Sequence, residues 1–283
     1  MSDLGYERRI KGVPDMQSLL DLDRYPLHDL TRAAGRTLVD ACRRELAASG
    51  MFSLEGFVRP PALEQCLAEL RPLIEGASFT HRRRHNIYFD DEIAGLATDH
   101  PALGRFETVN HTICADQIPH SVVCRIYEWP PLIEFLAATM NKSRLFLMAD
   151  PLARANVMTY RTGEALNWHF DRSEFTTTLL LNSPASGGEF QYRSGLRSDD
   201  DPNYDGVAHL LAGTDKAVQT LSLEPGTLNV FKGKYAAHRV TPVIGDRERV
   251  IAVFSYYERP GVRFSDDERL GFYGRTEAKV APS

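Results

Sequence analysis

A mainly β fold, a barrel or double-sheet jelly roll behind a helical N-terminal elaboration, is what this sequence predicts. Three observations lead there. From Ala155 onward, short runs rich in Val, Thr, Leu, Phe and Tyr follow one another, separated by clusters of Gly, Pro, Asn and Asp. Before that point apolar residues recur at helical spacing. The length, 283 residues, suits one all-β domain of about 200–250 residues with an added part. The expected division is an N-terminal helical and irregular elaboration at 1–150 packed on the core, a β core at 151–262 and a C-terminal tail at 263–283.

Taken in order, residues 1–26 carry Pro14 and Pro26 and read as an irregular arm or lid segment. Between Leu27 and Ser49 the apolar positions follow helical spacing, and Gly50 stands where a helix ends. Met51–Val58 has strand composition. Pro60-Pro61 then opens a second helix whose stripe is Leu63, Cys66, Leu67, Leu70 and Ile74. Residues 77–111 hold His81-Arg82-Arg83-Arg84-His85 and Asp90-Asp91-Glu92 with weak periodicity, which predicts a functional loop or lid. A helix at Pro130–Met140 and a strand at Arg144–Met148 follow. The β runs are NVMTY, a strand through His169, TTTLLL, GGEFQY, AVQTLSL, GTLNVF, HRVTPV and RVIAVFSYY, and the insertion at 194–215 is a second expected lid.

Composition sets bounds on partners. Hydrophobic residues make up 43% and charged residues 25%, as in a folded globular protein. Net charge is −5 with no basic tail, so a nucleic-acid partner is not expected. No apolar leader and no apolar run of about 18 residues is visible, so neither a membrane span nor export is expected, and the cytoplasm is the expected location. Cys42, Cys66, Cys114 and Cys124 are widely spaced without a CxxC pair and read as buried thiols. Oligomeric state is not encoded in any of these features.

The chemistry centres on His169-Phe170-Asp171. One intervening residue on an extended strand points an imidazole and a carboxylate to the same side. A metal site then needs a third ligand from another strand, and His238, with Arg247 and Arg249 behind it, fits. Such a 2-His-1-carboxylate set suits Fe(II) and leaves coordination positions open. His81, His85, His111, His120 and His209 lack mutual metal spacing and are expected to be non-ligands. Trp168 and Phe170 are expected to face away from the metal. Asn167, the basic Arg83 and Arg84, and Ser255 are candidates for contact with substrate.

Tyr160-x-x-Gly163, His169-x-Asp171, Gly187-Gly188-Glu189-Phe190, Pro225-Gly226-Thr227 and His238-Arg-Val-Thr-Pro-Val resemble the core of the Fe(II)/2-oxoglutarate-dependent oxygenases, in the prolyl-4-hydroxylase-like branch. Within it, WHFDRSEFTTTLLLNSPASGGEF and HRVTPVIGDRERVIAVFSYYERPG resemble the radical halogenases and hydroxylases that act on free amino acids. The resemblance covers roughly 150–262. It implies a double-stranded β-helix (jelly roll, cupin-like) holding Fe(II) through His169, Asp171 and His238, with 2-oxoglutarate and O2 as co-substrates. Arg249, 11 positions after His238, falls where the family's basic residue meets the far carboxylate of 2-oxoglutarate; Arg247 is the alternative, and Tyr160 and Thr178 would add hydroxyl donors. Halogenating members carry Gly or Ala at the place of Asp171, so hydroxylation of a small molecule such as a free amino acid is expected here. Halogenation, desaturation, cyclisation or a peptidyl substrate are alternatives within the class, and a non-catalytic β-helix that senses a metal or small acid is the alternative outside it.

Overall fold

Which way each side chain points along eight or so core strands decides what this fold encloses. The computed structural model describes residues 15–279 apart from 91, 92 and 94. Its helices are α1 (Met16–Leu19), α2 (Ala33–Ser49), α3 (Pro60–Gly76), α4 (Val122–Glu128), α5 (Pro130–Thr139), α6 (Tyr204–Leu211) and α7 (Asp266–Tyr273). Its strands are β1 (Met51–Leu54), β2 (Phe79–His85), β3 (Phe106–Ile113), β4 (Phe146–Leu147), β5 (Ala155–Tyr160), β6 (Leu166–His169), β7 (Thr176–Asn182), β8 (Ser186–Gly187), β9 (Phe190–Arg193), β10 (Gln219–Leu221), β11 (Leu228–Phe231), β12 (Ala237–Val240), β13 (Val243–Ile244), β14 (Arg249–Phe254) and β15 (Tyr256–Tyr257). A seven-stranded sheet runs β1-β11-β7-β14-β5-β3-β2 and a four-stranded sheet β10-β9-β12-β6. The two make the expected double-stranded β-helix.

The helices form where apolar residues repeat every three or four positions. Val39, Cys42 and Leu46 line the buried side of α2, and Ala62, Cys66, Leu70 and Ile74 that of α3, which starts on Pro60-Pro61. Both stripes join one core with Val157, Leu179, Leu181, Val230, Val250 and Ala252 from the outer face of the larger sheet. The alternate residues of the same strands, among them Met158, Tyr160, Thr178, Asn229 and Ile251, turn inward and line a cavity shared with the smaller sheet. Period two therefore separates an oily outer face from a mixed inner one. All four cysteines are free and buried, as expected.

Three expectations need correction. Residues 77–111 are not one irregular loop: β2 and β3 pair antiparallel from Phe79↔Thr112 to His85↔Phe106. The charges that hid β2 are those of an edge strand, where side chains reach water and deter further pairing. Arg82 meets Glu107 at 2.6 Å on one side of the strand while His81, Arg83 and His85 share the other. The insertion at 194–215 lines neither cavity. Its helix α6 packs through Val207 and Leu210 behind Trp168 and Phe170, with Ala102 of the 86–105 connection, and bolts the ligand strand from outside. Finally, the larger sheet crosses the expected boundary at 150, because β1, β2 and β3 belong to it, and the segment after 262 contains α7.

Residues 1–14 lie outside the described part, and 15–26 form a packed arm with Leu19, Leu20 and Tyr25 buried. Among the described residues no helix is long and apolar enough to cross a membrane.

Asp150 attaches the C-terminal segment to this frame. Fully buried, its carboxylate accepts from the Leu152 N–H at 2.9 Å, the Phe264 N–H at 3.1 Å and Arg269 Nε at 2.8 Å. Removing one partner of a buried ion pair strands the other. Asp150→Ala is expected to cost about 3 kcal/mol in denaturant unfolding, with hydrogen exchange rising first across Phe264–Tyr273.

Candidate active site

His169 closes β6, and Asp171 follows two residues later with the same orientation. His238 on β12 lies directly across the ladder from His169. The three side chains converge: Asp171 Oδ1 is 3.5 Å from His169 Nε2 and its Oδ2 is 3.3 Å from His238 Nε2. These spacings approach the roughly 3 Å edge of a polyhedron with metal–ligand bonds of about 2.1 Å. Among the described residues this is the one His/Cys/Asp/Glu group arranged to hold a metal.

Each ligand is fixed from behind. His169 Nδ1–H donates to the Asn167 carbonyl and His238 Nδ1–H to the Ala236 carbonyl, both at 2.9 Å, which leaves each Nε2 lone pair for a metal. The Asp171 N–H donates to the Gly233 carbonyl at 3.0 Å, and Thr176 Oγ1–H donates to Oδ2. A Cβ at Gly233 would stand 2.1 Å from Oδ2, so the carboxylate occupies the space that only glycine leaves. Burial alone would raise the Asp171 carboxyl, but the adjacent imidazoles of His238 and His169 hold it well below the usual range. Burial lowers His169, whereas Asp171 outweighs burial at His238 and raises it.

Behind the triad lies an inner cavity of about 130 Å³, apolar apart from a few groups. Arg249, 2% exposed, points into it opposite Tyr160. Its Nε donates to the Gly188 carbonyl at 3.0 Å, presented by a turn in which Gly187 and Gly188 have φ of 64° and 61°; this left-handed pair accounts for the Gly-Gly of the sequence. One guanidinium nitrogen, Nη1, is buried without a partner. Burial pulls Arg249 down to about 10, so it remains a cation at neutral pH. A buried cation with a vacant donor fits the far carboxylate of 2-oxoglutarate. Thr178 and Tyr160 line the same cavity. Arg247 does not: it precedes the first residue of β14, is exposed, and donates to the Pro184 carbonyl at 2.9 Å. The Gly245-Asp246 turn ends the strand alternation that would have carried it inward.

An outer cavity of about 260 Å³ opens on the other side of His169 and Asp171. Arg83 and Ser255 line it; Arg84, on the alternate side of β2, does not. Asn167 is also absent from it, since its Nδ2 donates to the Glu107 carbonyl. His85 is neutral: burial pushes it down to about 4, while it bonds the Asn86 carbonyl and Thr108 Oγ1. Phe89, at a φ of 57° that costs an aromatic residue energy, lays its ring 4.3 Å from His85 and 5.9 Å from His169. The guanidinium of Arg83 lies 5.0 Å from the same ring. Sequence reasoning missed Phe89, Phe272 and Tyr273 as cavity walls. Only for the last two was there a signal, the capping box Ser265-x-x-Glu268 that starts α7.

Gly233→Ala is expected to push the Asp171 carboxylate aside and weaken Ni(II) or Fe(II) binding by about tenfold or more while the melting temperature moves by only a few degrees. Metal titration calorimetry beside a thermal melt checks this.

Comparison with known proteins follows this geometry. The family model described as Halogenase D matches residues 34–264. No curated protein sequence matches the chain. Among solved structures, a 2OG-Fe(II) oxygenase family oxidoreductase from Burkholderia pseudomallei is 15% identical with a TM-score of 0.50, over 79% of this chain and 92% of that one. AviO1 from Streptomyces viridochromogenes Tue57 is 13% identical with a TM-score of 0.53, over 79% and 96%. The epimerase SnoN, in complex with Fe3+, alpha ketoglutarate and nogalamycin RO, is 14% identical with a TM-score of 0.53, over 78% and 84%. At such identities the likeness is one of fold. The extent of the family match and the convergent His-Asp-His set together make the chain a member of the Halogenase D family, among the oxygenases that use Fe(II), 2-oxoglutarate and O2.

Proposed function

We propose that the protein is a hydroxylase that acts on an unactivated C–H bond of a free amino acid or a derivative, in the cytoplasm. Asp171 carries the choice of reaction. The family takes its name from halogenation, and halogenating enzymes of this kind carry Gly or Ala where Asp171 stands, which frees a position for chloride. Here a carboxylate fills that position, braced by Thr176 and by the space at Gly233. Hydroxylation is the outcome that this ligand set favours.

When bound, Fe(II) with 2-oxoglutarate and O2 supplies an oxidant strong enough to remove a hydrogen atom from such a bond, 2-oxoglutarate leaving as succinate and CO2. His169, Asp171 and His238 would hold the ion, a ligand set that leaves coordination positions for co-substrates. Arg249 takes the far carboxylate of 2-oxoglutarate, with Tyr160 and Thr178 beside it. Arg83 supplies a guanidinium suited to a substrate carboxylate, and Ser255 a hydroxyl. Phe89, Phe272 and Tyr273 supply aromatic walls to the outer cavity, against which the apolar part of a substrate would pack. Its volume, about 260 Å³, suits a small molecule better than a peptide. Desaturation and cyclisation begin with the same hydrogen removal, so product mass separates them.

The test is succinate release by the Fe(II) protein with 2-oxoglutarate and O2 across a panel of free amino acids, with mass analysis of products. One class of amino acid is expected to stimulate succinate and to gain a single oxygen atom, and Asp171→Ala to abolish both. Arg249→Gln is expected to raise the KM for 2-oxoglutarate about 100-fold, and Arg247→Ala to change it less than about twofold. A chlorinated product in chloride buffer would overturn the hydroxylase assignment. Silence from every substrate with metal bound would favour a non-catalytic sensor.

A further inference from the structure

We infer that Asn229 is a second anchor for 2-oxoglutarate, donating its side-chain amide to the carboxylate at the metal end of the molecule. This rests on 2-oxoglutarate being the co-substrate. Asn229 interrupts an otherwise apolar strand, between Leu228 and Val230, and is 1% exposed. Ser53 on the neighbouring β1 donates to its Oδ1 at 3.0 Å, and its Nδ2 is left buried with no partner. That nitrogen belongs to a residue lining the inner cavity. A buried N–H without an acceptor costs free energy unless something that visits the cavity accepts from it.

The register of the larger sheet says which end of a visitor that would be. Asn229 pairs with Thr178, and Thr178 with Val253, so the three form one row across β11, β7 and β14. The next row in one direction holds Phe231 and Thr176, and Thr176 bonds the Asp171 carboxylate. Arg249 lies in the opposite direction, four residues from Val253 along β14, which is about 13 Å of strand. The cavity thus has unpartnered donors toward both ends, Arg249 Nη1 far from His169, Asp171 and His238 and Asn229 Nδ2 near them. Between them the lining is largely apolar, with Met158, Leu166 and Ile251. Two separated donors with an apolar middle match a short dicarboxylate whose two ends are both held. Ser53 is the positioning residue, since it fixes which end of the amide faces inward.

The experiment measures binding to the Ni(II)-loaded protein by calorimetry, using 2-oxoglutarate and 2-oxovalerate, which shares the keto-acid end but lacks the far carboxylate. Asn229→Ala is expected to weaken both ligands by the same factor, about tenfold, and to leave Ni(II) affinity within about twofold. Asn229→Asp, similar in shape but able to carry negative charge, is expected to weaken both further. Arg249→Gln is expected to weaken 2-oxoglutarate alone. Asn229→Ser carries the same comparison should the alanine variant fail to fold. Unchanged binding of both ligands in the Asn229 variants overturns the inference, as does weakening of 2-oxoglutarate alone, or a parallel loss of Ni(II). A wild-type protein that binds Ni(II) but not 2-oxoglutarate would remove the co-substrate itself, an outcome distinct from any of these.

Discussion

A carboxylate clasped between two imidazoles inside a β interior is the constraint on which this molecule turns. Asp171 is drawn below its ordinary range by its neighbours against the pull of burial, and that balance survives only while geometry is kept. Gly233 leaves the space, Thr176 donates, and the Asp171 N–H is tied to the Gly233 carbonyl, so the loop leaving β11 and the loop leaving β6 lock each other. Behind that strand, Trp168 and Phe170, the neighbours of His169, pack against Val207 and Leu210 of α6. A metal site of this kind is assembled by the sheet and tightened by loops.

The site divides into two chambers with different demands. The inner one is small and mostly apolar, and is built almost wholly from strand residues that alternate with the core residues under the helices. A substitution there risks both binding and folding, because the neighbouring position on the same strand belongs to the core. The outer chamber takes strand walls from β3, β5 and β14 and adds to them β2, the connection after it, and α7. Both chambers border His169, Asp171 and Thr176, so the convergent His-Asp-His group stands at their junction.

Much of this was legible in the sequence, for a physical reason: ligands carried on strands obey period two, and period two can be read from one chain. His169 and Asp171 share a side and Trp168 takes the other; Phe170 packs with Trp168 but also borders the outer cavity, because β6 ends at His169 and strict alternation ends with it. The helices α2, α3 and α5 were readable from their stripes and from proline at the start. What escaped reading depends on contacts between distant segments. Gly233 matters only because Asp171 arrives beside it, and nothing local marks that. β2 was concealed by its own charges, which suit an edge strand but imitate a loop. Arg247 and Arg249 share parity on paper, yet the strand begins at Arg249, and a boundary two residues away decided which guanidinium entered the cavity. Arg84 and Asn167 were set aside by neighbours that no pattern announces.

The attachment of α7 has a consequence for the outer chamber. That helix meets the body of the protein mainly through the Asp150–Arg269 ion pair, the Arg172–Glu268 pair and ring contacts such as His81 with Phe272, rather than through the core beneath the larger sheet. Tyr273 is the exception, buried beside Cys114, Met148 and Leu152 with its hydroxyl on Asn156 Oδ1, so within α7 Phe272 is the chamber-lining position less tied to folding. A change of shape at Phe272 alters the outer chamber from its rim, while the strands that carry His169, Asp171 and His238 and the core behind the larger sheet keep their own contacts.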